Sequence, residues 1–165
     1  MSMIIQRNYE FTYPKGLQGA LSLPALEHEA DCNGYIAAED LWPGCAVYED
    51  ANGQYAQPID ATTQGQVVGI VMLVGYAIGT PIPKPTGNNN NRIIIPEGSE
   101  FTILKAGHIY VEISGTVAKD DIAYPAIDGS GTFIKGFPPA KNPMFFDESG
   151  VAGDIVSIRV NGLIA

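Results

Sequence analysis

The sequence predicts an all-β fold: a single β-sandwich, jelly-roll-like or small barrel domain with an extended N-terminal arm. The stretch from Phe101 to Gly136 alternates apolar and polar residues through Ile109, Val111 and Ile113 and then reverses at turn residues, the pattern of a β-meander. Short apolar runs bounded by turn residues follow one another at near-regular spacing. The 19 Gly, 12 Pro, 8 Tyr and 6 Phe favour turns and strands over helices.

Residues 1–31 are predicted to form the arm, because they have no sustained period and are interrupted by prolines and glycines. We expect its anchors to be the following apolar side chains: Tyr9, Phe11, Tyr13, Leu17, Leu21, Leu23 and Leu26. Burying them offers about 14 kcal/mol, whereas ordering the backbone of residues 9–26 costs about 18 to 36 kcal/mol. Ordering therefore requires main-chain pairing with another surface. The alternative is a frayed terminus.

Residues 32–165 are predicted to form the body. Its strands are expected over 34–38, 45–49, 55–59, 66–76, 92–95, 100–104, 108–114, 122–124, 132–134, 144–147 and 154–162. A short helix over 37–41 is a weaker possibility. Asn52-Gly53 predicts a type I′ hairpin turn, which needs positive φ at both central residues. The Pro- and Asn-rich segment 79–91 is expected to be an exposed loop, or alternatively a contact loop.

The two halves of the body resemble each other faintly. Residues 43–48 followed by 52–55 read as a turn, a strand ending in Tyr, a Gly turn and a strand that opens with an aromatic residue. Residues 119–124 followed by 130–133 read the same way. Either an internal duplication or a coincidence between two hairpins explains the pattern.

Composition bears on partners. The net charge is −9 and the nine Lys and Arg residues are scattered singly, which argues against nucleic-acid binding. Only 16% of residues are charged, against about 25% in ordinary soluble domains, so some apolar surface is expected to meet a partner. Cys32 and Cys45 are expected to be free thiols. The apolar run 67–82 is interrupted and shorter than the roughly 20 residues of a membrane span, so no membrane contact is expected.

No catalytic, cofactor or metal site is predicted, and an enzyme is not expected. Of the two histidines, His28 falls in the arm and His108 has the strand parity opposite to Ile109, so it is expected to face solvent. Adjacent carboxylates lie beside turns and point to opposite faces. The Asp50–Gly53 fragment resembles the start of a calcium loop, but Ala61 stands where the bidentate Glu is needed.

Several motifs, in order, resemble the tailed-phage structural cement (capsid decoration) proteins. Along the chain they are the Pro43-Gly44 turn before a strand, the run 66–71, the Lys105-Ala106-Gly107 strand end and the Gly-x-Ile-x-Val-Glu-Ile-x-Gly strand that follows it. A Gly-x-Gly-x-Phe hairpin and the closing run 145–160 complete the set. The likeness covers most of the body. The Pro- and Asn-rich loop and Trp42 depart from the family pattern.

The resemblance implies a decoration protein that binds the outer surface of an assembled icosahedral shell and clamps adjacent major capsid subunits through its arm. It also implies a homo-oligomer, a trimer in preference to a dimer, made in the bacterial host cytoplasm and located on the outer capsid surface. Two alternatives remain. One is another virion β-protein of the tail or baseplate, and the other is a carbohydrate-binding module with Trp42, Tyr48 and Tyr55 as its stacking platform.

Overall fold

The computed structural model describes residues 18–20, 29–73, 94–136 and 144–161. Within these ranges the protein is almost entirely β, which confirms the predicted fold class. The elements are β1 (Glu29–Ile36), β2 (Ala46–Glu49), β3 (Tyr55–Ala56), α1 (Ala61–Gln64), β4 (Val67–Val71), β5 (Glu100–Glu112), β6 (Ile122–Pro125), β7 (Phe133–Lys135), β8 (Met144–Phe146) and β9 (Ile155–Val160). The predicted loop 79–91 lies outside the described residues.

The strands form one curled antiparallel sheet in the order β3-β2-β4-β5-β9-β8-β6-β7, with β1 also on β5. Strand β5 is the element that both halves share. Its first part, residues 100–106, pairs with β1 and β4, and its second part, 107–112, pairs with β9. Two separate strands were expected here. They are one continuous strand, and Gly107, with a φ of 128°, lies where its partner changes from β1 and β4 to β9.

Each half closes into a small barrel-like unit. The first barrel comprises β1, the first part of β5, β4, β2 and β3, and the second comprises the rest of β5, β9, β8, β6 and β7. A single parallel bridge closes each one: Ala37 to Tyr55 in the first barrel, and Ile113 to Phe133 in the second. Further antiparallel bridges join Leu41 to Ile95 and Val117 to Gly150.

The two barrels share several details of backbone geometry, which favours the internal duplication over a coincidence between two hairpins. The two parallel bridges correspond, because Ala37 and Ile113 are 76 positions apart and their partners, Tyr55 and Phe133, are 78 positions apart. The turn that precedes each hairpin strand has a positive φ at the same place, at Gly44 and Asp120. The glycine before the aromatic residue of the next strand also has a positive φ in both barrels, at Gly53 and Gly131.

Two hydrophobic cores lie on either side of β4. Its side chains Val68 and Val71 belong to the first core, whereas Val67 and Ile70 belong to the second, together with Leu104 of β5. All five residues of β4 are therefore buried. Burial on both faces explains why this part of the sequence is continuously apolar instead of alternating. Cys45 is fully buried in the first core.

The hairpin turn at Asn52-Gly53 differs from the expected type I′ turn. Only Gly53 has a positive φ, of 75°. The Asp50 amide donates to the Gln54 carbonyl and the Gly53 amide donates to the Asp50 carbonyl, so the loop has three residues. The Asp50 carboxylate accepts hydrogen bonds from the Asn52 and Gln54 amides and stabilises this alternative geometry.

The short helix expected over 37–41 is also wrong, because Ala37 and Leu41 are bridge partners of other strands. The described helix is α1, which the sequence pattern did not reveal. Asp60 caps it by accepting a hydrogen bond from the Thr63 amide at 2.8 Å, and the Thr63 side chain completes a capping box. No helix within the described ranges is long and apolar enough to cross a membrane.

Candidate functional site

The seven predicted arm anchors lie outside the described residues. Of the predicted arm 1–31, the structure describes residues 18–20 and 29–31. Residues 29–31 are the beginning of β1 and pair with β5. Residues 18–20 lie against the body at a second place, and they are the described part of the arm that bears on how it is attached.

Three backbone hydrogen bonds hold residues 18–20. The Gly19 amide donates to the Tyr110 carbonyl at 2.7 Å, and the Tyr110 amide donates to the Ala20 carbonyl at 2.9 Å. The Leu73 amide donates to the Gly19 carbonyl at 2.8 Å. The segment therefore joins the end of β4 to the second part of β5 and covers an edge of β5 that faces away from β9.

The turn at Pro43-Gly44 completes this contact. A Cβ atom on Gly19 would lie 2.3 Å from Pro43 Cβ, and one on Gly44 would lie 2.4 Å from Gln18 Cγ. Both glycines have a positive φ, of 80° and 90°. The two backbones approach closely because neither has a side chain. We call the surface formed by Pro43, Gly44, Leu73 and Tyr110 the socket.

A polar cluster crosses the outer face of the second barrel. His108 on β5, Arg159 on β9 and Phe145 on β8 are cross-strand neighbours. The imidazole Nδ1 of His108 lies 2.7 Å from Oδ2 of Asp147, and the Ser157 hydroxyl donates to the same oxygen at 2.8 Å. The Arg159 guanidinium lies 3.9 Å from Asp147 and 5.3 Å from the centre of the Phe145 ring.

This cluster corrects the expectation for His108 and does not have the arrangement of a catalytic triad. The alternation along β5 is confirmed, but the His108 side chain is only 30% exposed because Asp147 binds it. A hydroxyl has one proton to donate, and that of Ser157 is directed to the carboxylate instead of the imidazole. The arrangement ties three strands together. No group of three or more potential metal ligands occurs among the described residues.

Several carboxylates serve as turn supports. A hydrogen bond from the Thr63 backbone lowers the pKa of Asp60, and one from the Ala118 backbone lowers the pKa of Asp121. The Ser130 side chain lowers the pKa of Asp128. Hydrogen bonds to the ionised form stabilise it, so each carboxylate remains charged while it organises its own loop.

The aromatic platform expected for a carbohydrate-binding module is wrong. Trp42 is 8% exposed and lies against Gly131, where a Cβ atom would be 2.5 Å from the indole nitrogen. Tyr55 packs its ring 4.8 Å from that of Tyr35, beside the first core. These two rings therefore contribute to packing. Among the three residues of the platform, only Tyr48 points away from that core.

The socket is the feature that sequence reasoning missed. Gly19 and the Pro43-Gly44 turn were both visible as punctuation in the chain. They are about two dozen positions apart in sequence, and no local pattern indicates that one packs against the other. Tyr110 gave no signal either, since its contribution is its backbone amide and carbonyl.

The described residues thus define an all-β protein with two packed cores and a docked N-terminal segment. The chain belongs to the phage structural cement protein family, since the family model described as structural cement protein (E217 gp24/Pam3 gp6) matches residues 5–161. Comparison with curated proteins found no match. Membership confirms the resemblance and identifies a structural protein of the bacteriophage capsid, associated with capsid proteins and stabilising in role.

Proposed function

We propose that this protein binds the outer surface of the assembled icosahedral shell and clamps adjacent major capsid subunits with its N-terminal arm. The observation that supports the clamp is the socket, which fixes the base of the arm at Gly19 and Ala20. The 17 residues before Gln18 could span about 55 to 60 Å if extended. That exceeds the roughly 40 Å diameter expected for a compact chain of this length. The arm is long enough to reach a neighbouring subunit.

Energetics favour a partner for these residues. Tyr9, Phe11, Tyr13 and Leu17 would contribute about 8 kcal/mol if buried. Ordering the backbone of residues 9–17 costs about 9 to 18 kcal/mol. Main-chain pairing with another protein surface is needed to make up the difference, as when a peptide adds a strand to a sheet edge. An assembled shell offers such surfaces at every symmetry-related position.

Charge and symmetry support the outer location. A chain with a net charge of −9 and scattered cations is repelled by packaged nucleic acid. A trimer, or alternatively a dimer, would raise the effective concentration of each arm near the repeated sites and gain avidity from modest contacts. Synthesis in the host cytoplasm is part of the same proposal.

Truncation at the correct residue tests the clamp. Deleting residues 2–26 would also remove Gly19 and Ala20, which fill the socket, so the decisive truncation removes residues 2–17. We expect this variant to melt like the full-length protein and to lose at least about 100-fold in affinity for undecorated shells. Bound copies per shell would be counted by electron microscopy, which also shows on which side the protein lies. Full binding by the 2–17 deletion, or density on the inner surface, would refute the proposal.

A further inference from the structure

The socket recognises main-chain groups. Its hydrogen bonds go to the backbone of Gly19 and Ala20, and its shape selects a glycine opposite Pro43. Every copy of the chain carries the same segment. The same backbone contacts would therefore be available to residues 18–20 of another copy.

The connection from the segment to β1 is longer than the closed arrangement needs. Ala20 is bonded to Tyr110 on one edge of β5, and Glu29 pairs with Ala106 on the other edge. Tyr110 and Ala106 are four residues apart along β5, and Ala20 and Glu29 each lie one strand spacing away from β5, on opposite sides. The two ends of the connection are therefore roughly 16 Å apart. The nine residue steps from Ala20 to Glu29 can span about 30 Å. Roughly half of this length is surplus, which allows the segment to reach outward.

We propose that residues 18–20 exchange between copies, so that Gln18–Ala20 of one copy occupies the socket of a second copy. Exchange of an identical element is a common route to dimers and larger assemblies. It goes beyond capsid binding, because it joins the decoration subunits to one another. In dilute solution the copy's own segment has an effective concentration in the millimolar range and keeps the socket closed. Exchange becomes competitive where copies are crowded at comparable local concentrations.

Two variants remove the competition from self-docking. Gly19→Ala blocks the segment, since the added Cβ would meet Pro43 Cβ at 2.3 Å and the Gly44 nitrogen at 2.9 Å. Gly44→Asp blocks the socket, since the added Cβ would meet Gln18 Cγ at 2.4 Å and the Gly19 nitrogen at 3.1 Å. Aspartate suits this turn, because Asp120 occupies the equivalent position in the second barrel with a φ of 67°.

Neither variant can fill its own socket, but the two are complementary. Nitrogen-15-labelled Gly19→Ala protein, with an intact socket, would be titrated with unlabelled Gly44→Asp protein, with an intact segment. The Leu73 and Tyr110 amides are the reporters, because they donate to the Gly19 and Ala20 carbonyls. We expect their resonances to move toward the wild-type positions in a saturable way. No movement up to about 1 mM partner would overturn the proposal.

Two controls make the result specific. A partner that carries both substitutions should leave the reporters unmoved. Gly98→Ala tests the strain of the left-handed backbone alone, because Gly98 has the same φ of 80° as Gly19 but open space around its Cβ position. This variant should keep wild-type chemical shifts at Leu73 and Tyr110.

A measurement on folded wild-type protein covers the case in which a variant does not fold. Labelled and unlabelled wild-type chains would be mixed at about 1 mM, cross-linked at that concentration so that exchanged pairs survive dilution, and examined by mass spectrometry. We expect heavy–light dimers from the wild type and from Gly98→Ala, and at least a tenfold loss of them from Gly19→Ala. Their absence from the wild type, or their persistence in Gly19→Ala, would overturn exchange. No shell is used, so failure here leaves capsid binding as a separate question.

Discussion

The shared strand predicts that the two barrels unfold as one unit. Strand β5 contributes to both barrels, and Ile70 and Leu104 extend the second core beneath the first barrel. A change confined to the second barrel should therefore be felt in the first. Ile158→Ala is such a change, since Ile158 lies on β9 and is fully buried in the second core. Trp42, the single tryptophan, belongs to the first core and also touches Gly131 of the second barrel, so its fluorescence reports on the first core and on its contact with the second barrel.

The size of the effect follows from the burial. Replacing a fully buried Ile by Ala costs about 2 to 5 kcal/mol, through lost transfer energy and the cavity left behind. With a urea dependence of about 2 kcal/mol/M for a domain of this size, the unfolding midpoint should fall by about 1 to 2.5 M. Domains typically have an unfolding free energy of about 5 to 15 kcal/mol. For most values in this range, the variant should still be folded in the absence of urea.

The assay is urea unfolding followed by Trp42 fluorescence and by far-ultraviolet circular dichroism. We expect both probes to give one transition and to shift together. Ile134→Ala is the matched control in the same barrel, because Ile134 is 37% exposed, and its midpoint should move by less than about 0.3 M. A Trp42 transition that stays at the wild-type midpoint while circular dichroism divides into two steps would refute the cooperative coupling.

Two further predictions concern packing and pH. Gly69→Ala should cost about 1 to 3 kcal/mol, because its Cβ would lie 2.7 Å from the Cδ1 atom of buried Ile103, whereas Gly115→Ala, with open space around it, should stay within about 0.5 kcal/mol. Equal midpoints for the two variants in urea unfolding would contradict this. The Ala118 backbone lowers the pKa of Asp121, so its stabilisation is complete above the unfolded-state pKa and is lost as pH falls through the folded-state pKa. Asp121→Asn should flatten the fall in melting temperature below about pH 4, and a slope identical to wild type would argue against the assignment.

The strand pattern was largely predictable, because each strand with one buried face carries its own alternation. The stretch after Gly107 is an example: Ile109 and Val111 are fully buried, whereas their neighbours His108, Tyr110 and Glu112 are partly exposed. The repeat was also visible, since turn residues with special backbone conformations recur at Gly44 and Asp120. These features depend on neighbours within a few positions, so a local pattern suffices to find them.

Features that depend on competition between contacts were not predictable. The type I′ turn failed because the Asp50 carboxylate binds two loop amides and stabilises a longer loop. The helix over 37–41 failed because Ala37 and Leu41 find partners in distant strands. The strand face on which His108 lies was predicted correctly. The exposure of its side chain was not, because it depends on Asp147, which follows β8 and is far from His108 in the sequence.

The amino-acid sequence by itself determined the all-β class, the family resemblance, the similarity of the two hairpins and the acidic character of the chain. These follow from composition, period and the short-range backbone needs of Gly, Pro and Asp. Only the tertiary structure decided that β5 is one strand serving two barrels and that Gly19 meets Pro43 and Tyr110 in a socket. Such contacts join backbones far apart in the chain, and their stability depends on shapes that exist only after the strands have packed.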